Sequence, residues 1–441
     1  MKLSLHVNGT FFDLDASPGD SLLKVLRAQG NFGVKHGCET GECGACTILL
    51  DGKPVNSCVF LAAQAEGHQV ETIEPVGRHP EQGWKLTAGL HPLQTAFVEN
   101  GAIQCGFCTP AMILAARELL DRLPDPSEEQ VREALSGVLC RCTGYLKPVQ
   151  AILLAAAVMR GEAAGTLDDT IPAPVEWLPG ESSPHAPGAA GSLGPAPFPI
   201  SPSEDVLAST RVMPRIQVTP ETETWQSVGK PEIKVDAVKL VQGKPAFAAD
   251  IEMRGMLVAK VLHSPVAHAN IKHIDASQAL ELPGVAAVLT WKDLPRVVYS
   301  TAGQSDPIPG PLDTFSLDKK VRFVGDRVAF VAAESEEIAN QALGLIQVEY
   351  EPLPPIFDPA EALQPGVPRL HDEPEYVNFA ESDPDRNLAA EIKIDIGDVE
   401  QGFAEADYIF ENEYEVPKVQ QAHIEPHVTV TYWDEDDRLV I

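Results

Sequence analysis

Gly37-Cys38-Glu39-Thr40-Gly41-Glu42-Cys43-Gly44-Ala45-Cys46, followed after eleven residues by Cys58, decides how this chain reads. The spacing C-x4-C-x2-C packs three thiols into one glycine-rich loop, and the next segment delivers a fourth. That pattern suits a plant-type 2Fe–2S cluster, which takes four thiolates around a small inorganic core. Glycines let the backbone curl closely enough for its N–H groups to point at sulfur, and such hydrogen bonds help set a reduction potential.

Two other readings compete. Disulfides suit an oxidising compartment, but Cys43 and Cys46 are neighbours in a turn and Met1-Lys2-Leu3 does not read as a secretory signal. Zinc takes C-x2-C half-sites, but usually as two pairs rather than three cysteines and a distant fourth.

All eight cysteines fall between Cys38 and Cys142, which points to metal ligation in a reducing, cytoplasmic setting. The 441 residues leave room for about three domains. A formal net charge of −31 argues against nucleic acid or an anionic membrane as partner. No apolar run reaches the roughly 18–20 residues of a membrane helix, and Val149 to Met159 reads as a buried helix.

Outward from the loop, residues 2–15 read as two strands around Asn8-Gly9, the dipeptide suited to a type I′ turn. Ser21 precedes a helix from Leu22 to Gln29, ended by Gly30. Residues 47–58 give another strand–turn–strand around Asp51-Gly52. Together these predict a small β-grasp domain over 1–78. Residues 79–160 read as helical: one helix after His91-Pro92, one from Ala111 to Asp121, one capped by Ser127, and one with Pro148 at its first position. Two loops at one end of these helices carry Cys105/Cys108 and Cys140/Cys142, a second four-thiol set. Zinc stays open there because the cysteines are paired, although C-x-C is cramped for it.

CETGECGAC…C followed by QCGFCTP…CRCTGY resembles the iron–sulfur half of the xanthine oxidase family of molybdenum hydroxylases. The resemblance implies a multi-domain α+β fold: a ferredoxin-like β-grasp domain with one 2Fe–2S cluster, then a four-helix domain with another, beside molybdopterin. It assigns Cys38, Cys43, Cys46 and Cys58 to one cluster, and Cys105, Cys108, Cys140 and Cys142 to the other. It further implies that Gln104 and Cys142 lie against the pterin, expected in its cytosine dinucleotide form with molybdenum.

Residues 161–230, rich in Pro, Gly, Ser and acidic side chains, read as a linker. Family members with their own FAD domain place it here, so a separate FAD-containing subunit or another acceptor is the expected partner. Residues 231–355 resemble the family's α/β hammerhead domain, with a strand Leu257–His263, a loop SPVAHANI, a helix near Ala276–Leu280 and a strand ending at Thr290. A strand Val321–Val324 precedes a strand–helix–strand unit over 327–350. Residues 356–441 look like the start of a molybdopterin-binding domain. The family's cofactor loops and catalytic glutamate come later, so no catalytic residue is assigned. The chain is expected to be inactive alone and to need the remainder of the molybdopterin subunit. His423, Glu425 and His427 share one face of a strand-like run, which is weak ground for a metal site.

The stretch 236–441 looks most like the purine hydroxylase (xanthine dehydrogenase) branch grouped as selenium-dependent, with aldehyde oxidoreductases as the alternative. Readings from other classes are a stand-alone 2Fe–2S electron-transfer module and a zinc-scaffolded interaction protein.

Overall fold

The structure, a computed structural model, describes residues 1–77, 89–162, 232–301, 311–378, 382–391, 393–394 and 396–441. All of the expected linker except residues 161–162 lies outside them. The described residues divide into two compact units, one built from those before 252 together with 412–441, the other from those between 252 and 411.

In the first unit, strands β1 (Lys2–Val7), β2 (Thr10–Asp15), β3 (Thr47–Leu50), β4 (Lys53–Asn56) and β5 (Gln69–Glu71) form one sheet in the order β2-β1-β5-β3-β4. β1 runs antiparallel to β2 and parallel to β5. Asn8 and Gly9 both take positive φ, as do Asp51 and Gly52, so each pair turns its hairpin in the hand that matches strand twist. Leu3, Leu5 and Val7 alternate inward and meet Leu22, Leu23, Val25 and Leu26 of helix α1 (Leu22–Ala28). The Ser21 side chain caps that helix at the Lys24 N–H.

Helices α2 (Pro92–Glu99), α3 (Thr109–Arg122), α4 (Glu128–Leu135) and α5 (Leu146–Met159) share a second core. Ser127 and Gln130 close a reciprocal capping box on α4. Pro148 is the third residue of α5 rather than the first. The first turn has no intrahelical partners for its N–H groups, so proline loses no bond there either. Residues 232–251, read from sequence with the hammerhead, belong to this unit. Their helix α6 (Ala237–Val241) buries Val238, Leu240 and Val241 in the same core as Phe97 and Met112.

The second unit holds two three-stranded sheets. One has the order β6 (Val258–His263), β10 (Arg327–Ala333), β8 (Val285–Leu289). The other has β11 (Gln347–Pro352), β7 (Ala269–Asp275), β9 (Lys320–Val321). Helix α7 (Ser277–Leu280) and helix α8 (Glu336–Leu345) pack on the shared core through Ala279, Ala339 and Ala342. β7 corrects the sequence reading, which gave residues 264–271 as a loop. Its register slips opposite Glu349/Tyr350, so Ile271 and Ile274, three apart, both face inward. A bulge of this kind destroys the period of two by which a strand is recognised. β9 is shorter than the expected Val321–Val324, since Phe323 and Val324 turn out to solvent.

Candidate metal centres

The first cysteine loop is fixed from its own backbone. Glu39, Gly41 and Gly44 all take positive φ, which winds the chain tightly around Cys38 and Cys43. The N–H groups of Thr40 and Cys43 donate to the Cys38 sulfur at 3.5 and 3.3 Å. Cys46 ends the loop immediately before β3, and its carbonyl accepts the Ser57 hydroxyl at 2.8 Å. The Asn56 amide donates to the Gly41 carbonyl at 2.7 Å. These two bonds bring the turn carrying Cys58 back onto the loop, where its thiol meets that of Cys46.

Burial raises the Cys38 thiol, but bonds from the Thr40 and Cys43 groups outweigh it and hold the thiol down at about 6. Burial pushes Cys46 up to about 12 and raises Cys43 as well. One sulfur is thus prepared to be negative while its neighbours resist ionising.

The second set lies at helix starts. Cys105-Gly106-Phe107 is a loop, and Cys108 stands immediately before α3. A Cβ on Gly106 would sit 2.5 Å from Leu240, so the loop's course depends on glycine and on α6. Cys142 lies 3.5 Å from Cys105 and 3.8 Å from Cys140, sulfur to sulfur. The Cys140 sulfur contacts the Thr143 hydroxyl at 3.0 Å and accepts the Thr143 N–H at 3.5 Å. Tyr145 closes this loop in the left-handed region, its hydroxyl accepting the Cys140 N–H at 2.8 Å.

A bond from Cys108 is the main reason Cys140 falls to about 4, and the same bond, with burial, drives Cys108 upward. Burial takes Cys142 to about 11. Four thiols this close ionise together only against added positive charge. Both sets therefore fit a cationic core bound by four thiolates, the ligand set that 2Fe–2S clusters take. Among the described residues no group of three or more His, Cys, Asp or Glu is disposed to hold a single metal ion. His423 and His427 instead stack edge to face, with ring centroids 4.6 Å apart.

Gln104 is exposed beside the exposed Cys105 and Cys142. Sequence reasoning missed Lys35, Arg27 and Asp250, a buried ion cluster behind the first loop. Nothing local in the sequence marks partners more than two hundred residues apart.

Four family models cover this architecture in order. They are a 2Fe-2S iron-sulfur cluster binding domain over 5–72, a 2Fe-2S binding domain over 72–153, the aldehyde oxidase and xanthine dehydrogenase a/b hammerhead domain over 242–354, and a molybdopterin cofactor-binding domain over 379–441. The xanthine dehydrogenase iron-sulfur-binding subunit of Escherichia coli O157:H7 is 44% identical over 158 residues, 35% of this chain and 92% of that subunit. The chain belongs to the xanthine oxidase family of molybdenum hydroxylases. Along its whole length it is also 34% identical to the probable hypoxanthine oxidase of Escherichia coli strain K12, and it spans 43% of that protein. Among solved structures, the aldehyde oxidoreductase from Desulfovibrio gigas superposes on all of this chain with a TM-score of 0.70 at 30% identity. The match takes in 42% of that oxidoreductase. This membership accounts for the α+β multi-domain layout and for two 2Fe–2S domains ahead of a hammerhead.

Proposed function

We propose that this chain is the iron–sulfur and hammerhead part of a molybdenum hydroxylase that hydroxylates a purine such as xanthine or hypoxanthine, with water as oxygen donor. The observation that carries the reading is the convergence of two complete four-cysteine sets within one family-typical order of domains. Cys38, Cys43, Cys46 and Cys58 would hold one 2Fe–2S cluster, and Cys105, Cys108, Cys140 and Cys142 the other. When bound, these groups supply one-electron carriage between a molybdopterin centre and an acceptor outside the chain, such as a separate FAD-containing subunit.

The chain's own residues have definable work. The N–H groups of Thr40 and Cys43 stabilise negative charge on the Cys38 sulfur. Thr143 does the same for Cys140. Tyr145 holds the C-x-C loop to the helix that follows. Gln104 offers two donors and an acceptor to the mixed polar edge of a pterin, without adding charge. Cys142, close to the neighbouring Cys105, would meet the same edge. We assign the cytosine dinucleotide form of the pterin and a cytoplasmic location on the same reading; no described helix is long and apolar enough to cross a membrane.

Similarity to the hypoxanthine oxidase along the whole chain favours a purine. The second reading, an aldehyde substrate, draws on the likeness to the Desulfovibrio gigas enzyme. Turnover of the complete enzyme with xanthine, hypoxanthine and a simple aldehyde distinguishes them. Iron and acid-labile sulfide analysis of this chain tests the clusters, and zinc without sulfide would overturn them. Substrate-dependent dye reduction by the 441-residue chain alone would refute the need for the remaining cofactor-binding sequence.

A further inference from the structure

Lys35 stands three residues before Cys38 and is 2% exposed. Its N–H donates to the Ala45 carbonyl at 3.3 Å, between Cys43 and Cys46. Its ammonium donates to Asp250 at 2.7 Å, and the Arg27 guanidinium reaches the other oxygen of that carboxylate at 3.0 Å. Asp250 also accepts the N–H groups of Ala246 and Phe247 at 3.1 and 3.2 Å. Arg27 is spanned further, to the carbonyls of Val34 and Ala249 at 3.0 and 2.8 Å. Two basic side chains and one acidic one give this buried triad a formal net charge of +1.

The triad sits where the two thiol sets meet. The Lys35 ammonium lies 4.7 Å from the centre of the Phe247 ring. Phe247 meets Phe107 edge to face at 5.1 Å, and Phe107 precedes Cys108. Cys43, Ala45 and Phe107 form one buried cluster against Phe247. The other charges facing Lys35 and Asp250 are Glu74, which accepts the Gly33 N–H at 2.8 Å, and Glu425. Burial raises both of those carboxyls and lowers Lys35, so the effect of this pocket is read from the charge changed at one position rather than from a sum over its members.

We propose that the Arg27–Asp250–Lys35 triad sets the reduction potential of the cluster held by the first cysteine loop relative to that of the second. The inference rests on the cluster assignment above. Reducing one cluster adds one electron and no proton, so its charge falls by one and a nearby buried cation favours the reduced form. Buried charges are screened by salt far less than surface ones. Lys35 is bonded to the backbone between Cys43 and Cys46, whereas two aromatic rings stand between its ammonium and Cys108; the charge acts through space and weakens with distance, so we assign the larger response to the first cluster. Lys35, Arg27 and Asp250 are positioning residues in this scheme and touch no substrate.

The test is a potentiometric titration of the iron–sulfur-loaded 441-residue chain, with dithionite as reductant and paramagnetic resonance as readout. Lys35→Met takes the triad from +1 to neutral and lowers the first midpoint. Asp250→Asn takes it to +2 and raises that midpoint. We expect at least a ~3-fold change in the reduced-to-oxidised ratio at fixed potential, ~28 mV at 59 mV per tenfold for a one-electron couple. Lys35→Arg keeps the charge and should restore the wild-type value. If either variant loses its clusters, Arg27→Gln, at the more exposed end of the triad, carries the same sign as Lys35→Met. Intact clusters with unmoved midpoints, or shifts of the same sign in Lys35→Met and Asp250→Asn, overturn the proposal and leave the triad a structural staple. A wild-type chain without iron and sulfide would instead remove the cluster assignment itself.

Discussion

The carbonyl oxygen of Cys43 accepts the N–H of Leu139 at 2.8 Å, and Leu139 is followed directly by Cys140. A single hydrogen bond therefore joins the backbone of one four-thiol set to the backbone of the other. The close approach is made possible one residue later, at Gly44, which lies against Gly137.

Gly44→Ala should break that junction. Gly44 has a φ of +67°, and a Cβ there would lie 1.9 Å from the Gly137 carbonyl oxygen. The left-handed conformation alone costs an alanine about 1–2 kcal/mol, and the clash with backbone adds to it. We expect urea unfolding of the variant at neutral pH to show a loss exceeding ~2 kcal/mol. Separation of the two domains should also slow redistribution of electrons between the two centres after pulsed reduction. Unchanged stability would mean that the loop has another way past Gly137.

Cys43→Ser and Cys108→Ser separate the two sets. Each removes one buried thiol, so each should abolish one of two distinct iron–sulfur paramagnetic signals and leave the other. Iron content should fall by about half in either variant, given two irons per cluster. Loss of both signals from one substitution would indicate that the two sets do not load independently.

Much of this architecture was legible because its determinants are local. Asn8-Gly9, Ser21 and the Ser127/Gln130 pair act within a few residues, and the structure places each where its chemistry predicts. The cysteine spacing was legible for the same reason. β7 was not, because a bulge puts Ile271 and Ile274 on one face and removes the alternation a reader depends on. The ion cluster was hidden for a different reason. Lys35 and Asp250 are 215 residues apart, and no pattern near either of them names the other.

Gln104→Leu tests the pterin contact. Leucine nearly matches glutamine in volume but removes its donors and acceptor, so a buried pterin edge would be left unpaired at about 1–3 kcal/mol. In the complete enzyme we expect both clusters intact, with lower molybdenum occupancy or slower cluster reduction by substrate. Gln104 is exposed in this chain, so stability of the isolated chain should not change. Wild-type molybdenum content together with wild-type reduction rates would reject the role.

His91 gives the helical domain a pH dependence near neutrality. Its side chain caps α2, the ring Nδ1 accepting the Leu93 N–H at 3.2 Å, which requires that nitrogen to be unprotonated. Burial, helped by the charge of Arg117, holds the imidazole below its usual 6.5 in the folded state. The unfolded chain therefore binds the proton first, so stability is full above about pH 6.5 and declines as pH falls toward the folded value, then levels off. α2 also carries Gln94, whose amide donates to the Val241 carbonyl at 2.8 Å and so ties the helix to α6. Loosening the cap should thus be felt across the domain. His91→Asn keeps a capping oxygen and removes the titrating group. We expect its melting temperature to vary less than wild type between pH 7 and pH 5, with the two proteins differing by about 1 kcal/mol or less at pH 7. A wild-type protein whose melting temperature is flat over that range, or a variant with an undiminished slope, would show that His91 is not the titrating cap.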